Sequence, residues 1–149
     1  MANNHDIIIL MISSWIIYAL LSAVCAALVA IFGKIGIGQI DTTLATAIRS
    51  VIMAIALVLA TLSLGKFDLS KIDNRAFFFI ILSGLAGALS WFFYFGALKN
   101  GPATGVAALD RLSVIFVLLL AILFLGESLT WKTGLGALLV SLGAILLAL

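Results

Sequence analysis

Three ionisable side chains, Arg49, Asp110 and Arg111, occur within long apolar stretches of the sequence. Each would cost about 2.5–3.5 kcal/mol at the centre of a membrane helix without a partner, so we expect them to face water or protein. A guanidinium near a carboxylate can exchange that carboxylate for an anionic or zwitterionic solute. A buried carboxylate can also take up and release a proton, because burial raises its pKa and a nearby arginine lowers it.

Two aromatic residues, Trp91 and Tyr94, are predicted close to the depth of these charged groups. Arg49, Asp110 and Trp91 each lie about four residues, roughly 6 Å, from the middle of a predicted helix, all toward the same side. We therefore expect one aromatic-walled vestibule that binds a small solute, with Arg49 and Asp110 paired when it is empty. Its candidate binding residues are Arg49, Trp91, Tyr94, Asp110 and Arg111.

Two structural alternatives for the charged residues stay open at this point. The Arg49 and Asp110 side chains could form an ion pair that serves stability alone. Asp110 could instead cap a helix that begins late, although a start there leaves about 16 residues, roughly 24 Å, which is short for a span. Asp110 and Arg111 are chain neighbours that point about 100° apart on a helix, so we do not expect them to pair with each other.

The composition indicates that lipid is the solvent for much of this chain. Of 149 residues, 65% are apolar and 9% are charged, against about 45–50% and about 25% in soluble domains. Charged and turn-forming residues divide the chain into five segments of about the 20 residues that a span needs. We predict an all-α integral membrane protein, a single domain over residues 1–149, with helices at residues 14–35, 42–64, 76–98, 103–125 and 131–148. Whether residues 7–12 extend the first helix is left open.

Local signals predict where several helices begin and end. Asp41 or Thr42 is expected to cap the second helix. Gly101 is expected to end the third helix in the left-handed conformation, with Pro102 as the first residue of the fourth. Ser128 or Thr130 is expected to cap the fifth.

The fifth helix carries small residues at helical spacing. Gly134, Ala137 and Ser141 share one face, and Gly136 and Gly143 lie seven residues apart. Small residues let membrane helices approach closely. We predict packing faces here, and the fifth helix is the candidate surface for contact with a second copy of the chain.

The eight lysines and arginines divide evenly between the two sides of the membrane. Those on the N-terminal side are Lys66, Lys71, Arg75 and Lys132, and those on the other are Lys34, Arg49, Lys99 and Arg111. Counting loop residues alone favours a cytoplasmic N-terminus, whereas counting the arginines within helices removes the bias. A single orientation and insertion in both orientations therefore stay open.

Other functional classes have little support in the sequence. No nucleophile and base occur in a recognisable pattern, so we do not predict an enzyme. His5 has no second ligand nearby, so neither a metal site nor another cofactor is predicted. The net charge of +2 is too small to indicate a nucleic-acid partner, and the lone Cys25 excludes an internal disulfide.

Four short stretches carry a resemblance to a known family. They are GKIG at residues 33–36 followed by Arg49, SWFFYFGALKNG at residues 90–101, LDRLS at residues 109–113 and FLGE at residues 124–127. Together they resemble the EamA domain of the drug/metabolite transporter superfamily in its short, five-helix form, from about Trp15 to the end.

The resemblance implies a solute carrier, often an exporter. Ten-helix members hold two such domains in opposite orientation, with helices 1–4 of each around a central cavity, which implies cavity positions for Arg49, Trp91, Tyr94 and Asp110. One domain alone implies a homodimer, antiparallel if the chain inserts both ways. The related small multidrug-resistance branch uses a helix-1 glutamate, and no acid lies between Asp6 and Asp41 here. Proton-coupled export of cationic drugs by that route is therefore not expected.

We thus expect a multi-pass protein of the cell membrane, as in a prokaryotic inner membrane, that exports a small polar metabolite or drug-like solute by alternating access. Its partners would be the solute, the lipid bilayer and a second copy of itself. The alternative is a structural or accessory membrane subunit without transport activity.

Overall fold

In the described part of the chain, five helical segments are long and apolar enough to cross a membrane, as predicted. The computed structural model describes residues 4–149, with side chains for residues 14–149 other than Lys71. The four uninterrupted helices are α1 (Asn4–Ile37), α2 (Thr42–Ser63), α3 (Asn74–Asn100) and α6 (Trp131–Ala148). A short 3₁₀ turn, Leu69–Lys71, lies in the charged loop before α3.

The first helix is longer than a span requires. α1 begins at Asn4, so residues 7–12 continue the helix rather than forming a separate piece, and the part suited to the bilayer is Ser14–Ile37. The side chains of residues 4–13, His5 included, lie outside the described part of the chain.

The fourth span, Ala103–Leu125, is not the continuous helix that the sequence predicted. It divides into α4 (Ala103–Asp110), α5 (Ser113–Leu120) and a π-helical turn, Ala121–Leu125. At the break the amides of Arg111 and Leu112 donate to carbonyls three residues back, which tightens the turn. α5 begins without a side-chain cap, so the alternative in which Asp110 caps this helix is wrong.

Two lysines join the C-terminal ends of α1 and α3. The Lys34 ammonium donates to the carbonyls of Leu98, Lys99 (3.3 Å) and Gly101 (2.9 Å). In return the Lys99 ammonium donates to the Ile40 carbonyl at 2.8 Å, just beyond α1. The last carbonyls of a helix lack partners within it, and a cation there also complements the helix dipole. The sequence indicated only that both charges lie at helix ends.

A small core lies directly beneath this lysine pair. Ile37, Phe95 and Leu98 are 2%, 3% and 0% exposed and form one cluster. Gly33 lets α1 approach it closely, because a Cβ there would lie 3.3 Å from the Phe95 ring. α1 and α3 are therefore held together by packing and by hydrogen bonds at the same end.

The predictions of where helices begin and end were partly right. Asp41 caps α2 as predicted, accepting from the amides of Thr43 (2.9 Å) and Leu44 (3.1 Å). The hydrogen bond from the Leu44 amide is the main cause that lowers the pKa of Asp41 below its usual 3.8. Thr130 caps α6.

The predicted left-handed conformation of Gly101 is wrong. Its backbone is extended, with φ of −115°, and Pro102 is the cap of α4 rather than its first helical residue. A glycine is needed for a different reason, since a Cβ at Gly101 would lie 3.1 Å from Val106 Cγ2 and 3.3 Å from the Ala97 carbonyl.

The small-residue face of α6 packs within the protomer. Ala137, Ser141 and Ala144 are buried, and a Cβ on Gly105 of α4 would lie 3.6 Å from the Ala148 backbone. The predicted packing face is confirmed, but it is not available to a second copy of the chain. The side of α6 that carries Gly136 and Gly143 stays open, with nothing within 4 Å of a Cβ at either position.

Replacing Lys34 should destabilise the protein. Lys34→Met leaves the carbonyls of Leu98, Lys99 and Gly101 without their donor, and charge-assisted hydrogen bonds contribute about 1.5–3 kcal/mol each. Because these bonds share one ammonium, we expect a loss of about 2 kcal/mol in thermal unfolding of the detergent-purified protein. Lys132→Met, an exposed lysine at the start of α6, is the control and should change stability little. Equal effects of the two substitutions would contradict the assigned role.

Candidate functional site

Arg49 of α2 lies against the aromatic face of α3. Its guanidinium carbon is 3.6 Å from the centroid of the Trp91 ring and 5.6 Å from that of Phe95. Trp91 and Phe95 are four residues apart and so share one face of α3. A cation over an aromatic ring gains about 0.5–2 kcal/mol, more where water is excluded. Arg49 and Trp91 thus meet at one level, as the residue counts predicted.

The predicted ion pair between Arg49 and Asp110 is not formed. Among the described side chains, no carboxylate pairs with Arg49 and nothing accepts a hydrogen bond from its guanidinium. One of its nitrogens, Nη1, is fully buried without a partner. The physical reason is the position of Trp91, whose ring covers the guanidinium, while Asp110 contacts a different cavity beside Trp91 and Tyr94.

A large cavity opens beside Arg49. Its volume is about 600 Å³, and it lies between residues 28–40 of α1 and its following turn and residues 45–52 of α2, with Phe95 as part of the wall. The other lining residues are apolar side chains and glycines, so Arg49 is the single ionisable group among the described residues that line it. An apolar cavity with one fixed cation is suited to a ligand that carries one anionic group.

A second, more polar cavity lies on the other side of the aromatic residues. It measures about 170 Å³ and is lined by Ala26, Ser90, Trp91, Tyr94, Asp110 and Arg111. A neighbouring cavity of about 310 Å³ shares Ser90, Tyr94 and Asp110 with it. The rings of Trp91 and Tyr94 meet edge to face, with centroids 5.4 Å apart.

The predicted single vestibule is not formed, and the candidate residues lie at separate cavities instead. Trp91 connects the two sides, since its ring contacts Arg49 and it also lines the smaller cavity with Tyr94 and Asp110. Tyr94, Asp110 and Arg111 are brought together around the smaller cavity, whereas Arg49 is separated from them. Asp110 and Arg111 are exposed in the isolated protomer, although they lie within a span.

Sequence reasoning missed three residues that shape these cavities. Phe95 walls the larger one, and its position one turn after Trp91 was a usable signal. Ser90 lines the smaller ones directly before Trp91. Gly36 lines the larger cavity, and nothing in the sequence distinguished it from the other glycines near the C-terminal end of α1.

Replacing Arg49 with an apolar residue should stabilise the ligand-free protein. Arg49→Met removes a charge that no group in the described part of the chain compensates, and an unpaired arginine costs about 2.5–3.5 kcal/mol at the centre of a membrane helix. Loss of the contact with Trp91 offsets part of this, so we expect a net gain of about 1 kcal/mol in detergent unfolding without added solute. Arg49→Lys keeps the charge and should show no gain. Marked destabilisation by Arg49→Met would show that Arg49 serves the fold.

Comparison with known proteins agrees with the resemblance in the sequence. The EamA-like transporter family matches residues 13–149. A protein of a Sinorhizobium species described as an uncharacterized transporter in the cobO 3' region is 44% identical over 139 residues, which cover 93% of this chain and 99% of that protein. No solved structure matches the chain significantly. The chain is a multi-pass membrane protein that belongs to the EamA-like transporter family.

Proposed function

We propose that the protein exports a small polar metabolite or drug-like solute across the cell membrane of a prokaryote. It works by alternating access as a homodimer of antiparallel protomers. The observation that carries the proposal is the cavity beside Arg49, where a guanidinium within a membrane span has no carboxylate or hydrogen-bond acceptor among the described residues. A charge held in this way is suited to a ligand and is costly for any other purpose.

The fourth span supports a change of conformation during transport. It breaks at Arg111 and Leu112, next to the smaller cavity, and ends in a π-helical turn. Interrupted helices in membranes occur where the backbone lines a cavity or a solute path, and π turns are frequent at functional sites. Asp110 lies directly before the break and lines the smaller cavity.

Two observations support the antiparallel homodimer. Asp110 and Arg111 are exposed within a span of the isolated protomer, so each needs protein or water beside it rather than lipid. The four-to-four division of lysines and arginines permits both orientations, and an inverted repeat needs two opposed copies around one site. An enzymatic role forms no part of the proposal.

Transport should depend on both separated charges. A thermal-shift screen of metabolites on the detergent-purified protein can identify a solute, because a ligand of the folded state raises its apparent stability. In proteoliposomes we expect Arg49→Gln and Asp110→Asn each to lower flux of that solute at least tenfold. Arg75→Lys and Lys132→Arg, which keep the loop and helix-end charges that set orientation, should retain flux.

The possible results separate the proposal from its alternative. Unchanged flux in correctly folded Arg49→Gln and Asp110→Asn protein would show that the cavities are not the path. A folded wild-type protein that moves no member of the metabolite panel would favour the accessory-subunit alternative.

Orientation in the membrane should respond to single charges. With the charges evenly divided, we expect C-terminal fusions to a cytoplasm-active and a periplasm-active reporter both to give signal. Lys132→Gln removes one charge from the N-terminal side and should shift the population toward an external N-terminus, whereas Thr133→Gln changes no charge and should leave the ratio unchanged. Signal from one compartment alone would exclude the antiparallel arrangement.

A further inference from the structure

The cavity beside Arg49 has one strongly polar feature. Its described walls come from apolar side chains and glycines of α1, its following turn and α2, together with Phe95, and Arg49 supplies the one charge among them. Its volume of about 600 Å³ falls within the range of about 300–1,000 Å³ that drug-sized ligands occupy. Size therefore permits an organic molecule, and the chemistry of the walls restricts which kind.

The state of the guanidinium indicates the charge of that molecule. Trp91 covers Arg49 at 3.6 Å, and Nη1 is buried without an acceptor. Its other nitrogens also lack hydrogen bonds among the described residues, although they are not buried. A guanidinium offers a fixed fork of donors that matches a carboxylate, and a bound anion would satisfy donors that the protein leaves free.

The remaining walls indicate what the rest of the molecule is like. Apart from Arg49, the lining side chains offer neither hydroxyl nor amide nor carboxylate. A sugar or a zwitterion would exchange its hydrogen bonds with water for apolar contacts, which is unfavourable. A dianion would find one cation for two charges.

We infer that the cavity binds an organic monoanion with an apolar body, its anionic group on Arg49 and its body between α1 and α2. This inference rests on the proposed function and narrows its substrate class. Such an anion can come from the aqueous phase, as a small carboxylic acid, or from the bilayer, as a fatty acid. The shared chemistry is the carboxylate on an apolar body.

Gly36 gives a way to fill the cavity without disturbing the fold. It lines the cavity, and a Cβ added there would meet nothing within 4 Å. A larger side chain at this position therefore enters space that the ligand would occupy. Gly84 of α3 is a matched control, because it too has nothing within 4 Å of an added Cβ and lies outside the cavity lining.

The test measures binding through Trp91, which contacts Arg49. The chain has three tryptophans, so Trp15→Phe with Trp131→Phe leaves Trp91 as the sole tryptophan, which can be excited selectively. In phosphatidylcholine nanodiscs, cyclohexaneacetate and its neutral analogue 2-cyclohexylethanol are titrated separately. We expect the anion to bind at least tenfold more tightly than the alcohol.

The variants assign that preference to particular residues. Arg49→Gln should remove the tenfold preference, and Arg49→Lys should retain part of it. Gly36→Leu should weaken binding of the anion at least tenfold, and Gly84→Leu should not. Nanodiscs that contain oleate show whether the bound anion comes from the bilayer or from water. Competition by oleate assigns the site to a bilayer amphiphile. If oleate does not compete and the preference for the anion is retained, the site is assigned to an aqueous acid.

Two results would overturn the inference. One is equal affinity of the wild type for anion and alcohol, and the other is an unchanged preference in folded Arg49→Gln protein. If Arg49→Gln does not fold, Gly36→Leu decides, and binding of the anion unchanged by Gly36→Leu overturns the inference. Flux of cyclohexaneacetate in proteoliposomes distinguishes failure of the proposed transport function from failure of this inference. Binding of the anion without flux counts against transport alone. Transport of other solutes without binding of the anion counts against the inferred substrate class alone.

Discussion

The need to keep charge away from acyl chains governs the arrangement of this protein. A membrane span can carry an arginine only where protein, water or a ligand covers it. Arg49 meets that requirement with an aromatic ring rather than a carboxylate, at 3.6 Å from the Trp91 centroid. This contact joins α2 to α3, and no side chain that the structure describes compensates the positive charge. The cavity on one side of the contact and the polar cavities on the other are consequences of where Trp91 lies.

Much of this arrangement could be predicted from the sequence, because the length of apolar segments and the position of a residue within them determine spans and depth. Apolar length predicts spans, and counting residues from helix centres predicted that Arg49 and Trp91 meet at one depth. The cap at Asp41 follows from a local hydrogen-bonding pattern that any helix start can use. Each of these depends on one helix at a time, or on depth alone.

The predictions that were wrong concern features that depend on how side chains from different helices pack together. Depth could not show that Trp91 would stand where an Arg49–Asp110 ion pair had been expected. Gly101 matched a left-handed cap locally, but its small size is needed by Val106 of the next helix and by the Ala97 carbonyl. The helix break after Asp110 contains no proline or glycine, so the sequence did not predict it.

The exchange of hydrogen bonds between Lys34 and the end of α3 bears on how the protein is made. Lys34 and its acceptor Gly101 are 67 residues apart in the chain. During synthesis the first helix must therefore enter the bilayer long before its acceptors exist, with its ammonium still hydrated at the membrane surface. Only after the third helix has emerged from the ribosome can the amine exchange water for backbone carbonyls. The contact between α1 and α3 thus forms late in synthesis, and until then the Lys34 ammonium anchors the end of α1 at the membrane surface.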